Sequence, residues 1–327
     1  MSSRAGHCLR QTARYPALRC ARRHAGRRVE LPPPPRATPV NRRLSGAAAA
    51  AEPAAEPSPP PAVVWEGPKL EQIPRGSFFS FLREYGQWER AAEQPALSCS
   101  TTGRTLTFRD LERRVASAAA ALAREGFGDV LSIHLPNCEQ NVIAFLAATE
   151  LGGTVTPSNP AYTAAELAQQ LETARAVAVL STTSVRETVD AAALQAGVRR
   201  VSYVEEPDCF ANSLCPDALL PATPIDGARD LVALPFSSGT TGKPKGVMLS
   251  HRNLGANVLQ SLSHEDLRHD VRAGDRLIGV LPLYHIYGML ILGFSLASRA
   301  HLVLLPKFEP LPFLEAMQRH RITGAST

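Results

Sequence analysis

The chain has no C-x-x-C pair. Its six cysteines, at 8, 20, 99, 138, 209 and 215, are scattered. That excludes a zinc ribbon or a disulfide framework and fits a reducing interior. No G-x-S-x-G elbow and no Cys/His arrangement is present, so Cys138, Cys209 and Cys215 read as core or surface thiols rather than nucleophiles. Long hydrophobic runs are missing too. The most apolar stretch, Met289 to Leu296, is too short to span a bilayer and is expected as a buried helix, with no transmembrane segment. No stretch repeats at a fixed period.

Acids and lysine are nearly absent from residues 1–45, which hold eleven arginines, no lysine and the single acid Glu30. The formal net charge of the whole chain is +5, but beyond residue 45 there remain 24 basic and 29 acidic residues, a net of about −5. The basic balance therefore belongs to the leader, and the body gives no argument for nucleic-acid binding. An arginine-rich, acid-poor leader suits an organelle transit peptide, mitochondrial or plastid. Arg42-Arg43-Leu44-Ser45 resembles a mitochondrial processing site. The other reading is a disordered basic tail on a cytoplasmic protein. Residues 46–68, rich in Ala, Pro and Glu, lack the large apolar groups of a core and read as a linker. The folded domain is expected over 69–327.

Within it, Ser77 to Tyr85 reads as a short helix burying Phe78, Phe79, Phe81 and Leu82. Ala96 to Cys99 and Thr105 to Thr107 form a hairpin about Thr102-Gly103. Thr107 with Asp110 starts a capped helix that runs to about Glu125, with Leu111, Val115, Ala118, Ala119 and Leu122 on one face. Val130 to Leu135 is a strand, and Asn137 is expected to cap the next helix. Thr154 to Thr156, Ala176 to Leu180, Val201 to Val204, Arg276 to Leu283 and His301 to Leu305 are further strands. A second capping box, Thr163 with Glu166, opens another helix. Strands alternating with helices predict an α/β fold with doubly wound, largely parallel sheets. Ligands in such sheets sit beyond the carboxyl ends of the strands.

The chemistry concentrates in Pro235 to His251, PFSSGTTGKPKGVMLSH. Ser237, Ser238, Thr240 and Thr241 bring hydroxyls. Gly239, Gly242 and Gly246 let backbone approach a ligand closely. Lys243 and Lys245 add cations. Together they can wrap a polyphosphate. The P-loop of kinases and GTPases fails on spacing: Gly239 and Gly242 are three apart, and Pro244 stands where Ser or Thr should follow Lys243. Gly246 to Leu249 looks like a strand, and a helix begins only after Ser250, a plausible N-cap. The expectation is a strand–loop–strand clamp with no helix N-terminus aimed at the phosphates.

SSGTTGKPKG resembles the signature loop of the adenylate-forming superfamily, which includes acyl-CoA synthetases, luciferases and peptide-synthetase adenylation domains. LPLYHIYGM and KFEP look most like 4-coumarate–CoA ligase and its relatives, and the likeness runs from about Gly76 to the last residue. It implies an ATP-dependent carboxylic acid–CoA ligase that uses ATP, Mg2+ and coenzyme A on a small-molecule carboxylic acid. It places Ser237, Ser238, Gly239, Thr240, Thr241 and Lys245 on ATP, with Lys245 and His285 catalytic. His285 and Tyr287 would border the acyl substrate, and Lys307 would meet the phosphates of coenzyme A. His285 could orient a carboxylate or act as a gate. Lys243 falls at a variable position, and the resemblance gives no protein ligand for the metal. Family members continue with an adenine-gripping motif, a hinge and a small domain carrying a further lysine. None follows Thr327, so the expectation is an N-terminal fragment, inactive alone. A truncated, non-catalytic nucleotide-binding protein is the alternative.

Overall fold

The computed structural model describes residue 70 and residues 73–127, 129–215, 217–237, 244–263 and 271–325. The leader, the linker, and Ser238 to Lys243 lie outside the described residues. Two largely parallel sheets and the helices between and outside them make up the fold. The first sheet runs β13-β11-β12-β1-β2, with β1 at Pro95–Cys99, β2 at Thr105–Thr107, β11 at Arg276–Gly279, β12 at His301–Leu304 and β13 at Gly324–Ala325. Only the edge strand β2 is antiparallel.

The second sheet runs β10-β7-β4-β3-β5-β6. Its strands are β3 at Val130–His134, β4 at Thr154–Pro157, β5 at Ala178–Ser181, β6 at Arg200–Tyr203, β7 at Leu231–Ala233 and β10 at Leu249–Ser250. Here β10 alone is antiparallel. A separate two-stranded ribbon pairs β8, Phe236–Ser237, with β9, Lys245–Gly246.

Between the sheets lie α1 (Phe78–Tyr85), α2 (Phe108–Arg124), α3 (Glu139–Glu150), α6 (His251–Ser263) and α7 (Ile286–Ala297). Every residue of α3 except Gln140 is buried, as expected of a helix enclosed on all sides. The central core joins Leu97, Leu302 and Leu304 of the first sheet to Leu131, Ile133 and Val155 of the second through these helices. On the outer face of the second sheet, α4 (Ala164–Ala174) and α5 (Arg186–Ala196) bury Leu167, Leu171 and Val189 against Val179. On the outer face of the first, α8 (Pro310–His320) seats Ala316 against Ile278 and Val303. Among the described residues no helix is long and apolar enough to cross a membrane; α7 has twelve residues, of which nine, from Gly288 on, are buried.

Local chemistry sets the ends. Thr107 accepts from the Asp110 amide while the Asp110 carboxylate accepts from the Thr107 amide, and Thr163 and Glu166 do the same. Gly126 closes the α2 segment at φ +67°, a conformation with little cost for glycine. Ser250 caps α6 by accepting from the Asn253 amide at 3.3 Å.

Three expectations are corrected. The N-cap of α3 is Cys138, without a side-chain cap bond; the Asn137 carboxamide is used elsewhere. The run from Gly246 to Leu249 is not one strand, because Val247 and Met248 separate β9 from β10 and are exposed. The strand expected to reach Leu283 stops at Gly279. In addition, α5 and the short 3₁₀ turn Phe210–Asn212 were not foreseen.

Candidate active site

Every described candidate residue follows the carboxyl end of a parallel strand. Ser237 and Lys245 follow β7, His285 and Tyr287 follow β11, and Lys307 follows β12, all beyond carboxyl ends. This is where open α/β sheets bind ligands.

The ribbon supports the strand–loop–strand expectation on both its arms. Ser237 pairs with Lys245, and Phe236 with Gly246. Directly opposed antiparallel residues project to the same face, so the Ser237 hydroxyl and the Lys245 ammonium share one side of the ribbon, and both residues are exposed. The opposite face explains Gly246: a Cβ there would stand 3.3 Å from the Phe236 ring. The Val247 amide donates to the Pro235 carbonyl at 2.9 Å and continues the ribbon. Phe236 and Pro244 in turn enclose a small hollow with Tyr162 and Gln170 of the neighbouring segment. Burial chiefly, then Glu166 and Tyr284, raises the Tyr162 phenol above its ordinary pKa. Ser238, Gly239, Thr240 and Thr241 lie outside the described residues.

His285 is the N-cap of α7. Its Nδ1 accepts from the Tyr287 amide at 3.3 Å, while its own amide donates to Pro282 O at 3.0 Å. An Nδ1 that accepts is unprotonated, which leaves Nε2 as the donor of the neutral ring. His285 and Tyr287 are both exposed. Glycine is required at 288, because a Cβ there would lie 2.1 Å from Pro282 O.

A cavity of about 840 Å3, mostly apolar in its lining, opens beyond the carboxyl ends of β3, β4, β11 and β12. It is lined by Pro136 and Asn137, by Asn159 to Ala161, by Val280 to Pro282 with Tyr284, and by Lys307, Phe308 and Phe313. Lys307 is paired at the cavity rim: its Nζ lies 2.5 Å from Glu309 Oε1, with three quarters of the lysine side chain exposed. Tyr284, rather than its neighbour His285, lines the cavity. Among the described residues no hydrogen bond or ion pair joins the ribbon to His285 or Lys307.

A second cavity, about 730 Å3, is lined by Arg75, Asp226 and Arg252. Asp226 precedes β7, and Arg252 follows the antiparallel β10, so this cavity lies at the amino ends of the second sheet. It is remote in topology from the candidate residues. Reading residues alone missed Asn137, Tyr284 and Phe308 as part of the site. Asn137 had a signal, a polar residue just past a strand end, but that signal serves a helix cap equally well.

Two largely parallel sheets joined by the helices between them match the N-terminal domain of adenylate-forming enzymes. Solved structures agree. The chain superposes on ATP-bound MatB from Rhodopseudomonas palustris with a TM-score of 0.64 at 28% identity, covering 75% of this chain and 48% of that one. The N-terminal domain of FACL13 from Mycobacterium tuberculosis gives 0.68 at 23% identity, covering 76% and 61%, and shows the fold. The chain belongs to the AMP-binding enzyme family, whose pattern matches residues 86–327. Curated relatives include 4-coumarate--CoA ligase 5 of Oryza sativa subsp. japonica, 35% identical over 245 residues that make up 73% of this chain and 46% of the relative. The 4-coumarate--CoA ligase of Pinus taeda is 34% identical over 260 residues, 73% and 46%. The chain thus spans about half the length of the curated relatives it matches.

Proposed function

We propose that the chain serves an ATP-dependent carboxylic acid–CoA ligase of the 4-coumarate–CoA ligase kind. The observation that carries the reading is the shared face of Ser237 and Lys245 on a ribbon at the strand carboxyl ends, in a chain matched to AMP-binding enzymes across that ribbon.

In the first step a carboxylate oxygen bonds to the α-phosphorus of ATP and the bond to pyrophosphate breaks. An anion approaches a polyanion, and the leaving group gains charge. Lys245 and the Ser237 hydroxyl, on one face of the ribbon, offset that charge. The Nε2–H of His285 donates to the acid's oxygen, and α7 adds the positive end of its dipole beside it. In the second step a thiolate sulfur bonds to the acyl carbon and AMP leaves, the thiol proton passing to solvent. The apolar cavity suits the uncharged arm of coenzyme A, with Lys307 at the rim for its phosphates. Among the described residues no group of three or more His, Cys, Asp or Glu side chains could hold a metal ion. Magnesium carried on the phosphates of ATP needs no such cage.

Equilibrium titration of the chain with MgATP tests the reading. ATP should bind, and Lys245→Ala should weaken binding of the triphosphate with the fold intact. Failure of the wild-type chain to bind ATP overturns the assignment. We propose further that residues 1–45 address an organelle. A reporter fused behind residues 1–60 should be imported, and a diffuse cytosolic signal would rule that out.

A further inference from the structure

Asn137 is 2% exposed and spends its whole carboxamide on one distant segment. Its Nδ2 donates to Gly279 O at 3.2 Å and to Leu281 O at 2.9 Å. Its Oδ1 accepts from the Leu283 amide at 2.8 Å. Both amide hydrogens and the carbonyl are engaged, so the group has one orientation. The bonds cross between sheets: Asn137 follows β3 of the second sheet, and residues 279–283 leave β11 of the first.

Immediately beyond Leu283 lie Tyr284 and His285, the latter the group proposed to meet the acid. Tyr284 lines the cavity. The His285 amide returns to Pro282 O, and the His285 ring caps α7. Pro282 O is also the atom against which Gly288 of α7 is packed. The segment bearing Asn137 is itself held: Asn141 Nδ2 donates to Leu135 O at 3.3 Å and to Pro136 O at 3.4 Å. A continuous path therefore runs from Asn141 through residues 135–137 and 279–283 to His285.

We infer that Asn137 is a positioning residue: its carboxamide fixes the 279–283 connection and thereby where Tyr284 stands at the cavity and His285 at the N-terminus of α7. The inference rests on the reading of His285 as the group that meets the acid. Asn137 itself acts without touching substrate. It ties down the connection between β11 and α7, and small displacements of a positioned group are costly to catalysis.

The test is amide hydrogen exchange on the full 327-residue chain, wild type and Asn137→Ala. The expected result is local: the His285 and Tyr287 amides exchange roughly tenfold faster in the variant, as for loss of one or two hydrogen bonds, while Ile278 of β11 and Leu292 of α7 keep their rates. Equal acceleration across β11, β3 and α7 would make Asn137 a general tie between sheets and overturn the inference. So would unchanged exchange at His285 and Tyr287. Asn137→Asp, which keeps an acceptor for Leu283 but loses both donors, should loosen the same two amides. If neither variant folds, the wild type decides. Leu283, His285 and Tyr287 should be protected to a common extent, and a protected Leu283 beside a freely exchanging Tyr287 overturns the inference. MgATP titration of the same samples separates this from the ligase reading. ATP that fails to bind the wild type removes that reading and leaves the exchange result standing.

Discussion

Ser237 and Lys245 face each other across the ribbon formed by β8 and β9. Eight positions apart in sequence, they meet because Pro244 and Gly246 bracket the lysine. Proline fixes its own φ just ahead of it, and glycine accepts the Phe236 ring just behind. The lysine is thus carried on backbone that is paired, not on a free loop.

Lys307 is paired with Glu309 at the rim of the apolar cavity. An exposed pair of this kind contributes about 0.2–1 kcal/mol, so a phosphate that binds Lys307 must overcome at most a small competing interaction. In a ligase made by joining this chain to the part of the rice relative that it does not match, Glu309→Gln should lower the KM for coenzyme A by about two- to fivefold. Lys307→Ala should raise it and leave pyrophosphate release unchanged. Steady-state kinetics with coenzyme A varied check both; a Lys307→Ala enzyme with an unaltered KM for coenzyme A removes the assignment.

Gly288→Ala puts a methyl 2.1 Å from Pro282 O. That atom is backbone and is held by the His285 amide, so α7 or the Pro282 turn must shift. Forced overpacking of this kind costs about 1–3 kcal/mol. Urea unfolding should show a loss in that range, whereas alanine at Gly197, where no atom lies within 4 Å but φ is +70°, should cost only the strain of a positive φ.

Three histidines are buried neutral. His134, His251 and His301 are each held down to about 4, first by burial. For His251 the geometry agrees: its Nδ1 accepts from the Phe78 amide at 2.9 Å and has no place for a proton. The unfolded chain takes up these protons near pH 6.5 and the folded chain only near 4, so stability is full above about pH 6.5 and is lost as pH falls towards about 4. Each group steepens that loss by at most about 1.4 kcal/mol per pH unit. Glu150 opposes them. Burial raises its carboxyl despite bonds from Ser77 and Ser80, and its contribution declines as pH rises through the raised value. Denaturant unfolding between about pH 7.5 and 4 should show the net fall, and His134→Asn should flatten it. A slope that is unchanged in His134→Asn contradicts the neutral assignment.

Elements whose determinants are local were legible in the sequence. The capping boxes at Thr107 and Thr163 need only four consecutive residues each, and the apolar face of α2 needs only its period. Asn137 was not legible, because its three partners lie more than 140 residues away. The same bonds explain why β11 stops early. Gly279 O accepts from the Leu305 amide as well as from Asn137, and Leu281 O turns to Asn137 instead of a ladder partner. The helix α5 is not legible because its sequence, RETVDAAALQA, holds only two large apolar residues and buries only Val189, Ala192 and Ala193. At the site, the strand before Lys307 was legible, but the cavity beside Tyr284 is a product of packing between the two sheets.

The central claim is that Lys245 acts on the phosphates of ATP. The measurement is steady-state pyrophosphate release by the joined enzyme described above, for wild type, Lys245→Ala and Lys243→Ala. Loss of one well-placed donor at a developing charge costs about 3–4 kcal/mol, or roughly 10²–10³ in rate. Lys245→Ala should therefore lower kcat and kcat/KM together by that factor, with the KM for the acid little changed, and Lys243→Ala should do much less. Equal losses for the two lysines, or a Lys245→Ala enzyme with normal kcat and only a raised KM for the acid, would contradict the account.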